Sequence, residues 1–169
     1  QPRATTFDQS WATTGKTPDR ERNILTSLDL DPARMERHNQ ALQAKYRKIE
    51  ENEVRFESIY CDDAEYLLVA YGSVARICQK TLKLARQEGI KIGLLRPITL
   101  YPFPSGILRD LSPKVKGILT VELSAGQMVE DVRLAVEGRT VVEFYGRMGG
   151  MMPSPSEILD VIKNKFLKK

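Results

Sequence analysis

Tyr66-Leu-Leu-Val-Ala-Tyr-Gly-Ser73 is the stretch that decides the fold. Leu67 to Tyr71 is an unbroken run of apolar and strand-favouring residues, and it stops at Gly72-Ser73. A short continuous apolar run bounded by a turn reads as a strand buried on both faces. Val74-Ala-Arg-Ile-Cys-Gln-Lys-Thr-Leu-Lys-Leu-Ala85 follows at once, with Val74, Ile77, Cys78, Thr81, Leu82 and Ala85 at helical spacing. Ser73 is placed to cap the first turn of that helix. Gly89 closes it, and Ile90-Lys-Ile-Gly-Leu-Leu95 opens a second apolar run. Strand, helix and strand within about thirty residues form a βαβ unit, which implies a parallel sheet with a right-handed crossover.

The rest of the chain keeps this rhythm. Lys116-Gly-Ile-Leu-Thr-Val-Glu122 is a third buried strand with a carboxylate at its end. Leu123-Ser-Ala-Gly-Gln127 turns into a helix from Met128 to Val136, stopped by Gly138. Thr140-Val-Val-Glu-Phe-Tyr145 is a fourth strand, opening into Gly146-Arg-Met-Gly-Gly-Met-Met-Pro153. Ser154-Pro155 starts a last helix with Ile158, Leu159, Ile162 and Phe166 on its apolar face. Glu57-Ser-Ile-Tyr60 is a further short strand. Between the second and third main strands, Pro97, Pro102 and Pro104 impose a stiff loop, and a short helix runs from Gly106 to Leu111.

Upstream, Asp31-Pro32 opens a helix by a capping side chain and a proline at its first position. That helix runs from about Ala33 to Glu53, with Met35, His38, Asn39, Leu42, Tyr46, Ile49 and Val54 as a narrow inner stripe expected to pack on one side. No helix-turn-helix partner precedes it. Residues 1–30 show no sustained periodicity. Thr14-Gly-Lys-Thr17 is not a phosphate loop, because Ser10 stands where the first glycine belongs and no strand precedes it. The segment reads as a strap that buries Phe7 and Trp11 on another domain or subunit. The organisation expected is a strap plus linker helix over 1–56, the helix at about 31–54, and an α/β domain over 57–169.

A chain of 169 residues is enough for one domain with a sizeable core. Gln1 stands where an initiator Met would, so a fragment or processed chain is expected. The first thirty residues are polar and no apolar run reaches the roughly twenty residues a membrane helix needs, so the expected setting is cytoplasmic, with no membrane partner. The net charge of +4 comes from residues 61–169, where Lys163, Lys165, Lys168 and Lys169 account for it. Lysines near a helix C-terminus suit the helix dipole, and no basic stripe with interleaved aromatics appears, so nucleic acid is not an expected partner. Cys61 and Cys78 lack C-x-x-C spacing, and His38 has no neighbouring ligand residue, so no metal site is expected.

The residues with chemical potential collect where parallel strands end: Gly72 and Ser73, Arg96, Glu122 with Gln127, then Arg147 with Gly149 and Gly150. In open α/β sheets that edge is where ligands or partners dock. Gly72-Ser73 admits two readings, an anion site at a helix N-terminus or a tight turn with a cap. Without G-x-G-x-x-G the second is preferred. Glu122 has no titratable neighbour in sequence to make it a general base, and is expected to pair with Arg96 or Arg147. No catalytic, cofactor-binding or metal-binding residue is assigned. Gly72, Ser73, Arg96, Glu122, Gln127, Arg147 and Gly149 stand as interface candidates.

Several segments together carry a family resemblance: Trp11-Ala-Thr-Thr-Gly15, Lys45-Tyr-Arg-Lys-Ile-Glu-Glu-Asn-Glu-Val-Arg55, Leu68-Val-Ala-Tyr-Gly-Ser-Val-Ala-Arg-Ile-Cys78, Gly93-Leu-Leu-Arg-Pro-Ile-Thr-Leu-Tyr-Pro-Phe-Pro104, Val121-Glu-Leu-Ser-Ala-Gly-Gln-Met-Val-Glu-Asp131 and Phe144-Tyr-Gly-Arg-Met-Gly-Gly150. The chain resembles the C-terminal part of the α-type subunit of 2-oxoacid:ferredoxin oxidoreductases, above all the branched-chain 3-methyl-2-oxobutanoate (2-oxoisovalerate) type. The resemblance implies a three-layer α/β/α fold like the transketolase C-terminal domain, with a mostly parallel five-stranded sheet. It also implies an enzyme that oxidatively decarboxylates a 2-oxoacid on thiamine diphosphate and Mg²⁺. Electrons would pass through iron–sulfur clusters to ferredoxin, and the acyl group to coenzyme A. Those cofactors belong to the complete enzyme, none to these residues. The part assigned here is structural, joining other domains and subunits, and no activity is expected of the chain alone. The same domain from another thiamine-dependent enzyme, or a free-standing flavodoxin-like binding module, are the alternatives.

Overall fold

A computed structural model describes Ala12, Gly15, Pro18, Asp19, Glu21, Arg22, Ile24 and residues 26–168. Phe7 and Trp11, on which the strap reading leans, lie outside the described residues. The chain divides into two compact units, Gln1–Gln43 and Ala44–Lys169, and the boundary falls within the helix α1 (Pro32–Asn52). In the first unit Asp31 caps α1 as expected, its Oδ1 accepting from the N–H groups of Ala33 and Arg34 at 3.0 and 3.1 Å. Arg34 closes the turn with a two-pronged pair onto Asp29. Of the expected inner stripe of α1, Met35, Leu42 and Ile49 are half-buried, whereas His38, Asn39, Tyr46 and Val54 are exposed, and no residue of the helix is fully buried.

The second unit holds the sheet. Its strands are β1 (Phe56–Ile59), β2 (Tyr66–Val69), β3 (Ile92–Pro97), β4 (Gly117–Glu122) and β5 (Val142–Gly146), in the order β1-β3-β2-β4-β5. Four run parallel, and β1 pairs antiparallel with β3. The short strand foreseen at Glu57–Tyr60 is therefore the antiparallel edge, and β3 continues through Pro97 opposite Phe56 at the end of that ladder. The helices are α2 (Gly72–Gln87), α3 (Ser105–Leu111), α4 (Met128–Val136) and α5 (Pro155–Ile162).

Alternation along the strands divides the core in two. Tyr66, Leu68, Ile92, Leu94, Leu119 and Val121 pack with Val74, Cys78, Leu82 and Ala85 of α2 and Ile158, Leu159 and Ile162 of α5. Leu67, Val69, Leu95 and Ile118 face the other way, onto Leu108 and Leu111 of α3 and Met128, Val132, Ala135 and Val136 of α4. This is the three-layer arrangement expected from a strand apolar on both sides. Past α5 the chain widens into one π turn, Lys163–Leu167, and the Phe166 ring stacks on Tyr66 at 5.3 Å between centroids. A Cβ on Gly117 would stand 2.5 Å from that ring, so Gly117 leaves the space Phe166 fills.

Helix starts differ from each other. Ser154 caps α5 in a capping box, its Oγ accepting from the N–H of Glu157 at 3.2 Å while Glu157 accepts from the N–H of Ser154 at 2.7 Å. Ser73 does not cap α2. The cap position is Tyr71, with no side-chain hydrogen bond, and Gly72 makes the turn at φ +57°. That conformation suits glycine, because any Cβ would be strained there. Ser154→Ala should therefore cost about 1 kcal/mol, whereas Ser73→Ala should stay within about 0.5 kcal/mol. Urea denaturation of the two variants reads the difference directly.

Candidate functional site

The direction of the chain reverses at β2: β3 lies on one side of it and β4 on the other. In such sheets the strand ends beside that reversal form a crevice suited to ligands or partners. Here the crevice is a cavity of about 160 Å³ lined by Tyr71, Gly72, Ser73, Val121, Glu122 and Leu123. Two helices, α2 and α4, begin beside it, and they treat their first turns differently.

α4 is capped from a distance. Glu122, at the end of β4 and 1% exposed, turns its carboxylate onto the start of the helix. Oε2 accepts from the N–H groups of Gln127 and Met128 at 3.1 and 3.0 Å, and Oε1 from Val129 at 2.9 Å. Ser124 Oγ donates to Oε2 at 3.0 Å and itself accepts from the N–H of Gly126 at 3.2 Å. A buried carboxylate is tolerable only with such a set of donors, and a helix N-terminus supplies both the donors and a favourable dipole. The expected pairing of Glu122 with Arg96 or Arg147 is corrected, since backbone donors and Ser124 occupy both oxygens.

The two arginines pair elsewhere. Arg96 Nη1 meets Glu57 Oε2 at 2.9 Å, the two residues standing opposite each other in the β1–β3 ladder. Arg96 Nε is buried and, among the described residues, has no hydrogen-bond partner. Arg147 donates from its N–H to the Glu122 carbonyl at 3.1 Å, which carries the β4–β5 pairing one residue past the strand. Its guanidinium reaches Glu157 Oε1 at 2.9 Å. The backbone N–H of Ser154 above all, then the Ser154 side chain, holds Glu157 below the usual carboxylate range, and the Arg147 charge adds to this. Glu157 was not singled out from the sequence, yet Ser154-x-x-Glu157 is a readable capping-box pattern. Ser124 and Glu57 were also missed, and nothing in their spacing announces them.

The edge places Gly72, Ser73 and Glu122 on one cavity, and Gln127 and Arg147 on the bonds of Glu122. Arg96 stands apart, on the side of β1. Gly149 and Gly150 lie in the loop after β5, both at positive φ, with Met148, Met151 and Met152 exposed around them. Gly146 has no room for a side chain, because a Cβ would run into the Ser124 carbonyl and the Phe144 ring. Among the described residues no cluster of three His, Cys, Asp or Glu could hold a metal. The two thiols point into cores on opposite faces of the sheet, Cys78 with α2 and Cys61 beneath α3 and α4. Burial pushes Cys61 up and Cys78 to about 12, so neither is a thiolate near neutral pH. No helix of the described residues is long and apolar enough to cross a membrane.

The chain is similar to known proteins. The ketoisovalerate oxidoreductase subunit VorB of Methanothermobacter thermautotrophicus (strain Delta H) is 46% identical over 92% of this chain and 44% of its own length. The chain thus spans less than half of that relative. The 2-oxoglutarate:ferredoxin oxidoreductase from Magnetococcus marinus, solved with 2-oxoglutarate, coenzyme A and succinyl-CoA bound, superposes with a TM-score of 0.70 at 18% identity, over 94% of this chain and 29% of that one. The inactive β4 tetramer of a split-gene transketolase superposes at 0.56 and 15% identity, over 65% of this chain and 40% of the other. Both support the mostly parallel five-stranded α/β fold. The family description pyruvate:ferredoxin oxidoreductase core domain II matches residues 64–158, more than half of the chain, and the chain belongs to that family.

Proposed function

We propose that this chain is the assembly domain of a 2-oxoacid:ferredoxin oxidoreductase that oxidatively decarboxylates 3-methyl-2-oxobutanoate to an acyl-CoA, passing electrons to ferredoxin. The family membership and the 46% identity to a ketoisovalerate oxidoreductase subunit support the reaction and the substrate class. The residues described do not fit the cofactors of such an enzyme. Two buried thiols on opposite sides of a sheet cannot share an iron–sulfur cluster, and no acidic cluster suits Mg²⁺. In this reading thiamine diphosphate, Mg²⁺ and the clusters belong to other parts of the complete enzyme.

What this chain contributes is a rigid sheet edge. The observation that carries the reading is the internal saturation of Glu122, which turns the one buried carboxylate of that edge into a helix cap. What faces outward is Leu123, the methionines of the Gly149 loop and the cavity at Gly72 and Ser73. Adaptable thioethers beside a shallow pocket suit contact with another polypeptide. Gly72, Ser73, Gln127 and Gly149 form the contact edge, Glu122 and Arg147 hold its shape, and Arg96 lies outside it beside β1. The strap and linker helix over 1–56 tether this domain to its neighbours.

The test is the complete enzyme carrying Leu123→Asp with Met151→Asp. Sedimentation should show the complex falling apart while the variant chain by itself melts close to the parent, both positions being exposed. An intact complex with unchanged turnover would sink the edge assignment. The unmodified complex should turn over 3-methyl-2-oxobutanoate faster than 2-oxoglutarate in a ferredoxin-reduction assay. The reverse order would overturn the substrate class.

A further inference from the structure

The second unit has a separate cleft of about 400 Å³ between the end of α1, the loop after β3 and the outer face of α4, with none of its lining residues shared with the cavity at Gly72 and Ser73. Its walls are apolar and aromatic: Val54, Tyr101, Phe103 and Leu134. Glu50 and Asp131 supply two carboxylates. Leu134 is 77% exposed and Tyr101 is 60% exposed. Elsewhere α4 turns its apolar residues inward, and Met128, Val129, Val132, Ala135 and Val136 are all buried. Leu134 faces out beside Asp131, one helical turn away.

The cleft is held in shape. The Tyr101 hydroxyl donates to Glu50 Oε1 at 3.1 Å, and its ring meets Tyr46 edge-to-face at 6.3 Å between centroids. Within the same loop Thr99 Oγ1 donates to the Pro102 carbonyl at 3.0 Å and accepts from the N–H of Arg55 at 3.0 Å. An exposed aromatic whose position is already fixed loses little freedom on binding, which is the property of an anchor residue at an interface.

Charge then selects the occupant. The last turn of α1 has no basic residue, and Glu50, Glu51 and Glu53 stand where the helix dipole is already negative. Arg55 neutralises Glu53 at 2.8 Å. Among the described residues neither Glu50 nor Asp131 has an ion-pair partner; Glu50 has the Tyr101 hydroxyl alone. A carboxylate at the wrong end of a helix, left without a cation on a chain of net charge +4, is a local choice that isolated stability does not favour. A cation arriving from outside would find two carboxylates and the aromatic side chains of Tyr101 and Phe103, a combination that suits guanidinium more than ammonium.

We propose that this cleft is a docking site for a neighbouring polypeptide of the oxidoreductase, which inserts an apolar side chain beside Leu134 and sets an arginine between Glu50, Asp131 and the ring of Tyr101. This rests on the assembly reading above and adds to it a second contact, on another face, with a partner of defined chemistry. A small organic cation is the poorer occupant. Ligand sites bury most of a small molecule's surface, whereas Leu134 and Tyr101 stand at the rim and need a surface laid across them.

The experiment uses the assembled enzyme with co-expressed partner subunits. Glu50→Lys with Asp131→Lys should raise the dissociation constant of the complex at least tenfold and flatten its salt dependence, with the melting temperature of the free chain little changed. A photo-cross-linking amino acid at position 134 should join the chain to an arginine-bearing segment of a partner, mapped by mass spectrometry. Capture of a segment without arginine, or no capture, overturns the proposal. Leu123→Asp at the carboxyl edge separates the two ideas. If it dissociates the complex and the charge reversal does not, the cleft is no interface and the assembly reading stands. If neither variant affects assembly, both fall.

Discussion

Leu68→Asp is expected to leave no soluble folded chain. Leu68 sits in the middle of β2, the central strand, with Leu94 and Leu119 opposite it on either side, and it is 0% exposed. Its side chain points into the core shared with α2 and α5. Removing the leucine costs about 2–5 kcal/mol in packing. An aspartate there would have neither water nor a cation, and a buried charge without a partner costs several kcal/mol more, or is held neutral at a comparable cost. The total approaches the roughly 5–15 kcal/mol by which whole domains are stable. Leu68→Ala is the control: it should stay folded with its unfolding free energy, read by urea denaturation, lowered by about 2–5 kcal/mol. A Leu68→Asp chain that stays in the soluble fraction and melts like the parent would refute the placement of β2 at the centre of the sheet.

Glu122→Ala should destabilise the chain by about 3 kcal/mol or more, a large effect for a residue with no charged partner. The substitution strands the buried N–H groups of Met128 and Val129, and each buried unsatisfied donor costs about 1–3 kcal/mol, while the exposed Gln127 loses a partner that water can replace. Relaxation of the loop and entry of a water recover part of this. Glu122→Gln keeps one acceptor oxygen but turns an NH₂ toward the same donors, so it should fall between the parent and the alanine variant. Amide hydrogen exchange locates the damage. Protection should be lost in the first turn of α4 while Leu67–Val69 of β2 stays slow. Equal loss at both places would mean that Glu122 acts through the sheet and not through the helix start.

Both results concern residues whose importance was visible in different degrees from the chain alone. The run Leu67 to Tyr71 told where the central strand lies and that both its faces are covered, because a period of two with no polar face allows no other placement. The helical spacing after it told which side of α2 is buried, and Val74, Cys78, Thr81, Leu82 and Ala85 are buried there. Asp31-Pro32 and Ser154-Pro155 told where two helices start, since a cap bonds to donors two or three residues away. All of these are local facts, settled within one or two turns of chain.

The partners of the charged residues were a different matter. Glu122 reaches five to seven residues ahead because the loop after β4 brings the start of α4 back over the strand end, a geometry no spacing encodes. Arg96 finds Glu57 because β1 enters antiparallel and in one register, and a slip of one residue would put them on opposite faces. Ser73 loses its role as a cap because Gly72, at φ +57°, takes the turn before it. The sequence by itself thus determined the strands, the helices and the layer each face belongs to, through periodicities that act over a few residues. Only the tertiary structure decided which polar groups meet, because a hydrogen bond works over about 3 Å and those distances are set by how whole elements pack.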